Sequence, residues 1–163
     1  MIMCSLMFAC RYLKCFGSVY LGFSFHSSSS EWVIGYHKFI GLVSPLQAEL
    51  WSILIGLHVA WSQGIERLQV QTDCDQATRL LCTSSLEAAR LPLVRAINSL
   101  HNWGWLTELQ WIPCEGNIVA DAMSKLSIPQ QFQLSFFDYV LTSIRPFLDH
   151  DIDGPPYRRH AHP

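Results

Sequence analysis

"SPLQAELWSILIGLHVAWSQGIERLQVQTDCD", Ser44 to Asp75, is the stretch that decides the fold. Its opening is a helix start. Ser44 can accept from the backbone of the first turn, Pro45 suits a first helical position, and Gln47 completes a capping-box pattern. Leu46, Leu50, Ile53, Leu54, Leu57 and Trp61 then recur at helical spacing, which predicts a helix over Pro45–Gln63 with Gly64 as its left-handed stop. The period then changes. In "RLQVQT", Arg67 to Thr72, apolar Leu68 and Val70 alternate with polar neighbours, the signature of a half-buried strand. That strand ends on Asp73. A helix feeding a strand that stops on an acid implies an α/β domain, and in open α/β sheets functional groups gather at the carboxyl ends of strands.

Working outward, "GSVYLGFSF" (Gly17–Phe25) and "WVIGYHKF" (Trp32–Phe39) are rich in aromatic and β-branched residues and flank a polar turn, so they read as a hairpin. The apolar Ile2–Phe8 reads as a short buried strand. Downstream, a helix over Gln76–Cys82 follows, with Asp75 as its cap. Leu86–Asn102 is mostly helical and restarts at Pro92. Leu106–Ile112 alternates as a strand, and Asn117 caps a helix that carries Asp121. Residues after Pro129 read as one more helix ending before Pro146. The last stretch, "DHDIDGPPYRRHAHP", reads as a disordered tail. The expected organisation is an atypical N-terminal segment (1–16), a central domain (17–128) and a C-terminal helix with tail (129–163).

The chain has 163 residues, half of them hydrophobic, with eleven Lys plus Arg against thirteen Asp plus Glu. That is enough apolar material for a core and excludes a generally basic nucleic-acid binder, so any such footprint must be local. Six cysteines stand at positions 4, 10, 15, 74, 82 and 114, with no C-x-x-C pair and no zinc spacing. They are expected to be reduced thiols of an intracellular protein, without disulfides. "MIMCSLMFAC" falls well short of the ~20 apolar residues of a bilayer span, and its charges follow the apolar run instead of preceding it. The expectation is therefore a monomer of the nucleus or cytoplasm, neither secreted nor in a membrane. The six tryptophans are read mainly as packing residues.

Three acids stand at chemically suggestive places: Glu49 early in the long helix, Asp73 at a strand end, and Asp121 in the first turn of the last helix of the central domain. Each alone has a bland explanation, since acids near helix starts complement the helix dipole. Together they could converge at one sheet end. Three carboxylates repel unless a divalent cation lies among them, and hard oxygen ligands suit Mg²⁺ or Mn²⁺. Lys125 is then the nearest candidate for a phosphate contact, with Asn117 as a second.

"AELWSILIGLHVAWSQGIERLQVQTDCDQATRLL" and "LQWIPCEGNIVADAMSKL" resemble the ribonuclease H-like domains of plant genomes, which occur alone or at the end of non-LTR retrotransposon-type reverse transcriptases. The resemblance covers roughly 17–126. It implies a ribonuclease H-like fold, a mixed central sheet flanked by helices. It implies metal-dependent hydrolysis of the RNA strand of RNA–DNA hybrids, with Glu49, Asp73 and Asp121 matching the second, third and fourth carboxylates of the family. The family's first strand bears T-D-G, whose Asp bridges both metals; here no acid precedes Glu31, so that strand is altered or missing. The family's Arg before the last helix is Cys114 here, its upstream His is Trp111, and the Ser after its third acid is Cys74. The resemblance therefore implies weakened cleavage. Two alternatives stand beside it: a catalytically degenerate module that binds nucleic acid or protein, and a non-functional retroelement remnant.

Overall fold

The computed structural model describes residues 3–13, 18–27, 32–83, 85–126 and 133–153. In chain order they form β1 (Met3–Leu13), β2 (Ser18–Ser27), β3 (Trp32–Gly41), α1 (Pro45–Ser62), β4 (Arg67–Thr72), α2 (Asp75–Cys82), α3 (Leu86–Arg90), α4 (Pro92–His101) and β5 (Leu106–Trp111). A 3-10 turn (Cys114–Gly116), α5 (Ile118–Ser124), β6 (Ser135–Phe137) and α6 (Arg145–Asp153) complete them. The six strands make one mixed sheet in the order β5-β4-β1-β2-β3-β6. Strands β1, β2, β3 and β6 pair antiparallel in succession, while β4 lies parallel to both β1 and β5. The fold class is as the sequence implied, α/β with a mixed central sheet flanked by helices. The N-terminal segment supplies its central strand: β1 is hydrogen-bonded on both sides, to β2 and to β4.

Helix α1 forms where its start signals stand. Ser44 Oγ accepts from Gln47 N at 3.2 Å and Gln47 Oε1 accepts from Ser44 N at 3.0 Å, so two otherwise orphaned donors are satisfied. Gly64, at φ +70°, turns the chain out of the helix in a region that costs other residues strain. The buried stripe of α1 includes Leu50, Ile53 and Leu57. Each such side chain contributes on the order of 1.5–3 kcal/mol by leaving water. It packs with Val94, Ile97 and Leu100 of α4 and Leu68 and Val70 of β4 into the main core.

Adjacent residues of β3 show that both sheet faces are covered. Fully buried Tyr36 donates its hydroxyl to Ser52 O of α1 at 3.1 Å. Gly35, one residue earlier, faces the other way, against the Trp32 indole and Met123 of α5. Successive strand residues alternate faces, so α1 and α5 lie on opposite sides of the sheet. A second, smaller core forms on the α5 side from Val119, Ala122, Met123, Ile144 and Leu148, with Trp32 and Phe137 against it.

Several expected local features differ. Cys74, not Asp75, caps α2: its Sγ accepts from Ala77 N at 3.4 Å, and Asp75 instead forms an exposed ion pair with Arg79 at 2.8 Å. Asn117 precedes α5 but makes no side-chain cap; its carbonyl accepts from Asp121 N at 3.0 Å. Of the helix expected between Pro129 and Pro146, residues 129–132 lie outside the described residues; the rest carries strand β6, and α6 starts at Arg145 and runs through Asp149–Asp153 of the expected tail. Proline ends a helix only from its interior; in the first turn its missing N–H has no partner to lose, so Pro146 opens α6. Residues 154–163 of that tail lie outside the described residues. The tryptophans also differ from the expected packing role. Trp105 is buried, but Trp51, Trp61, Trp103 and Trp111 are each at least 40% exposed. Trp61 meets Trp103 and Trp105 edge-on at 5.3 and 5.4 Å between ring centroids. An indole can close the rim of a core while one edge stays wet.

Candidate active site

The parallel ladder of β4 and β5 runs out at Thr72 and Trp111, which face each other as the last pair. Thr72 is fully buried. Its hydroxyl accepts from Cys74 N at 3.1 Å, which fixes the turn into α2, and it donates to Glu49 Oε1 in a close hydrogen bond. Glu49 is itself 2% exposed, in the second turn of α1. A buried carboxylate needs donors around it, and here a side chain of the neighbouring strand supplies one. Thr72 therefore ties α1, β4 and α2 together at the carboxyl end of the sheet.

Asp73 follows, half-buried, at the point where the strand opens. Its carbonyl accepts from Trp111 Nε1 at 3.2 Å. Two thiols flank it. Burial pushes the Cys74 thiol up; the Ala77 N–H opposes this, and the charges of Glu49 and Asp73 add to it. Burial likewise pushes the Cys114 thiol up, helped by the nearby Asp73 carboxylate and a hydrogen bond to it. Both thiols stay protonated at neutral pH. Tyr36 has its phenol raised first by burial, relieved by its bond to Ser52 and raised further by the Glu49 charge. Of these three groups, Cys74 is the one that feels the charges of both Glu49 and Asp73.

Asp121 is placed by a different element. The connection from β5 runs through the 3-10 turn, whose Cys114 hydrogen-bonds to Asp73, and enters α5, whose first turn holds Asp121. Its carboxylate is paired with Lys125, one helical turn on, and both side chains are about half exposed (46% and 50%). Such an exposed i,i+4 pair contributes little to stability. Asn117 is fully buried, whereas Lys125 is half exposed.

The oxygen donors are of the type that Mg²⁺ and Mn²⁺ prefer. Their arrangement does not make a ready divalent site. Among the described residues, no three carboxylate, imidazole or thiol groups are gathered as a cation would require. Glu49 is engaged by Thr72 and Asp121 by Lys125. Strand β1 runs beside β4 with Phe8 opposite Thr72, and its eleven residues, MCSLMFACRYL, include no acid.

The fold and the sequence have counterparts. A family model described as "Reverse transcriptase-like" matches residues 24–127. The chain belongs to the reverse transcriptase-like family of ribonuclease H-like domain proteins. An Arabidopsis thaliana protein named as a putative ribonuclease H protein is 27% identical over 127 residues, 77% of this chain. The chain spans only 20% of that protein's length. Among solved structures, ribonuclease H1 of Halobacterium salinarum superposes with a TM-score of 0.62 at 20% identity, covering 76% of this chain and 93% of that one. The ribonuclease H domain of a Mycobacterium tuberculosis protein gives 0.66 at 15% identity, with 76% and 91% covered. A compost-derived ribonuclease H1, solved in complex with RNA/DNA hybrid, gives 0.60 at 14% identity, with 76% and 93% covered. These likenesses establish the ribonuclease H-like fold.

Two residues at this end of the sheet are not legible in the sequence. Thr72 was legible only as the last apolar-face position of a strand; that face is what turns its hydroxyl toward Glu49. Trp111 read as core, yet its indole is exposed beside Asp73. Among the described residues, no helix is long and apolar enough to cross a membrane.

Proposed function

We propose that this domain binds RNA–DNA hybrid and cleaves its RNA strand slowly or not at all. The observation that carries the reading is the register of β1. Phe8 pairs with Thr72 as the last pair of the β1–β4 ladder; the next residue of β1 is Ala9, and the next residue after β4 is Asp73. A carboxylate there could share a cation with Asp73; alanine offers none. Binding of Mg²⁺ or Mn²⁺ then rests on Glu49, Asp73 and Asp121 alone and is weak, because each of two ions of a paired site would lose a ligand. Loss of a single stabilising donor at a reacting phosphate commonly costs about 10²–10³ in rate, and a bridging ligand at least that. Recognition of the hybrid survives such a loss, because it depends on backbone shape and 2′-hydroxyls and not on the metal. The structural neighbour solved with RNA/DNA hybrid supports this choice of ligand. We infer further that the protein works as a monomer inside the cell.

The test is the purified chain with an end-labelled RNA–DNA hybrid and Mn²⁺, beside Asp73→Asn. The expected outcome is measurable binding with cleavage at or near background in both proteins. Brisk cleavage abolished by Asp73→Asn would overturn the weakened reading and show that another group replaces the missing acid. Failure of the parent chain to bind hybrid would overturn the choice of ligand.

A further inference from the structure

We propose that Trp111 is a stacking residue of the nucleic-acid site, its exposed indole taking a base or sugar of the bound strand next to Asp73. The inference rests on the hybrid-binding reading above and names the residue that reads the strand. Three observations carry it. First, the indole is placed by two independent constraints. Its backbone ends the β5 ladder opposite Thr72, and its Nε1–H donates to Asp73 O at 3.2 Å. Second, Trp111 remains 40% exposed although it ends a strand of the main sheet, so apolar ring surface is left to solvent at the rim of the site. Third, the connection that leaves Trp111 leads directly into α5, which carries the exposed cation Lys125, paired with Asp121. An aromatic face combined with a cation is used for sequence-tolerant nucleic-acid binding, because every base has a π-face.

The polar end of the ring is engaged by the Asp73 carbonyl, so its exposed apolar surface is suited to stacking.

The experiment measures binding of a fluorescein-labelled RNA–DNA hybrid by anisotropy in EDTA, where cleavage cannot interfere. It compares the parent chain, Trp111→Ala and Trp111→Phe over a series of salt concentrations. Trp111→Ala should weaken binding about 5- to 150-fold, the range of one base–aromatic stack, with the salt slope unchanged because no phosphate contact is lost. Trp111→Phe keeps a stacking face and removes the hydrogen bond to Asp73; it should stay within about threefold of the parent. Three outcomes overturn the proposal: Trp111→Ala binding like the parent, Trp111→Phe failing as badly as Trp111→Ala, or a reduced salt slope. The second would show that the indole acts only by holding the Asp73 carbonyl. A parent chain that binds no hybrid fails earlier, before the variants are compared, and overturns the function itself.

Discussion

Replacing Thr72 with valine keeps the shape of the side chain and deletes its hydroxyl. The hydroxyl makes two hydrogen bonds, one to the buried Glu49 carboxylate and one from Cys74 N. A hydrogen bond to a charged group contributes about 1.5–3 kcal/mol and a neutral one about 0.5–1.5, so the variant should lose about 2–4 kcal/mol. For a chain of this size, each kcal/mol moves the melting temperature by about 2–4 °C, which predicts a fall of roughly 5–15 °C. The assay is urea denaturation with a thermal scan for the parent, Thr72→Val, Thr72→Ser and Glu49→Gln, and a double-mutant cycle between Thr72→Val and Glu49→Gln. Serine should restore most of the loss. The cost of Thr72→Val should shrink by about 1 kcal/mol or more once Glu49 is neutral, because the charged acceptor is gone. A Thr72→Val protein within about 0.5 kcal/mol of the parent would refute the view that this node holds the end of the sheet together.

Two further outcomes follow from other elements. Gly35→Ala would place a Cβ 2.5 Å from Trp32 Cζ2 and 3.0 Å from Met123 Cε. The indole must then leave its place, where Nε1 donates to Phe137 O at 3.2 Å. A loss of about 1–3 kcal/mol in urea, with earlier proteolysis after β3, is expected; an unchanged midpoint would show that Trp32 relocates freely. Burial lowers His37 from 6.5 to about 4. The unfolded chain then binds a proton that the folded chain refuses, so stability falls as pH drops through that window, by at most about 1.4 kcal/mol per pH unit. Between pH 7 and 4.5 the urea midpoint of His37→Gln should fall less than that of the parent, and equal falls would count against a buried neutral imidazole.

The sequence by itself determined the elements whose signals are local. The capping box at Ser44, the helical spacing from Leu46 to Trp61 and the alternation of Arg67–Thr72 depend on neighbours within one or two turns, and they formed where expected. The carboxylates Glu49, Asp73 and Asp121 were legible for the same reason, as acids at helix starts and strand ends. What each acid touches was not legible, because hydrogen bonds between distant residues leave no periodic trace. Thr72 meets Glu49 across 23 positions and Trp111 meets Asp73 across 38. The segment after Pro129 misled for a related reason. Its apolar residues suit helix or strand equally, and the free edge of β3 and the apolar side of α5 chose a short strand and a later helix. The position of β1 was likewise a tertiary decision. Its sequence says only that it is apolar; pairing with β2 and β4 makes it the central strand and sets Phe8 opposite Thr72 at the end of the parallel ladder.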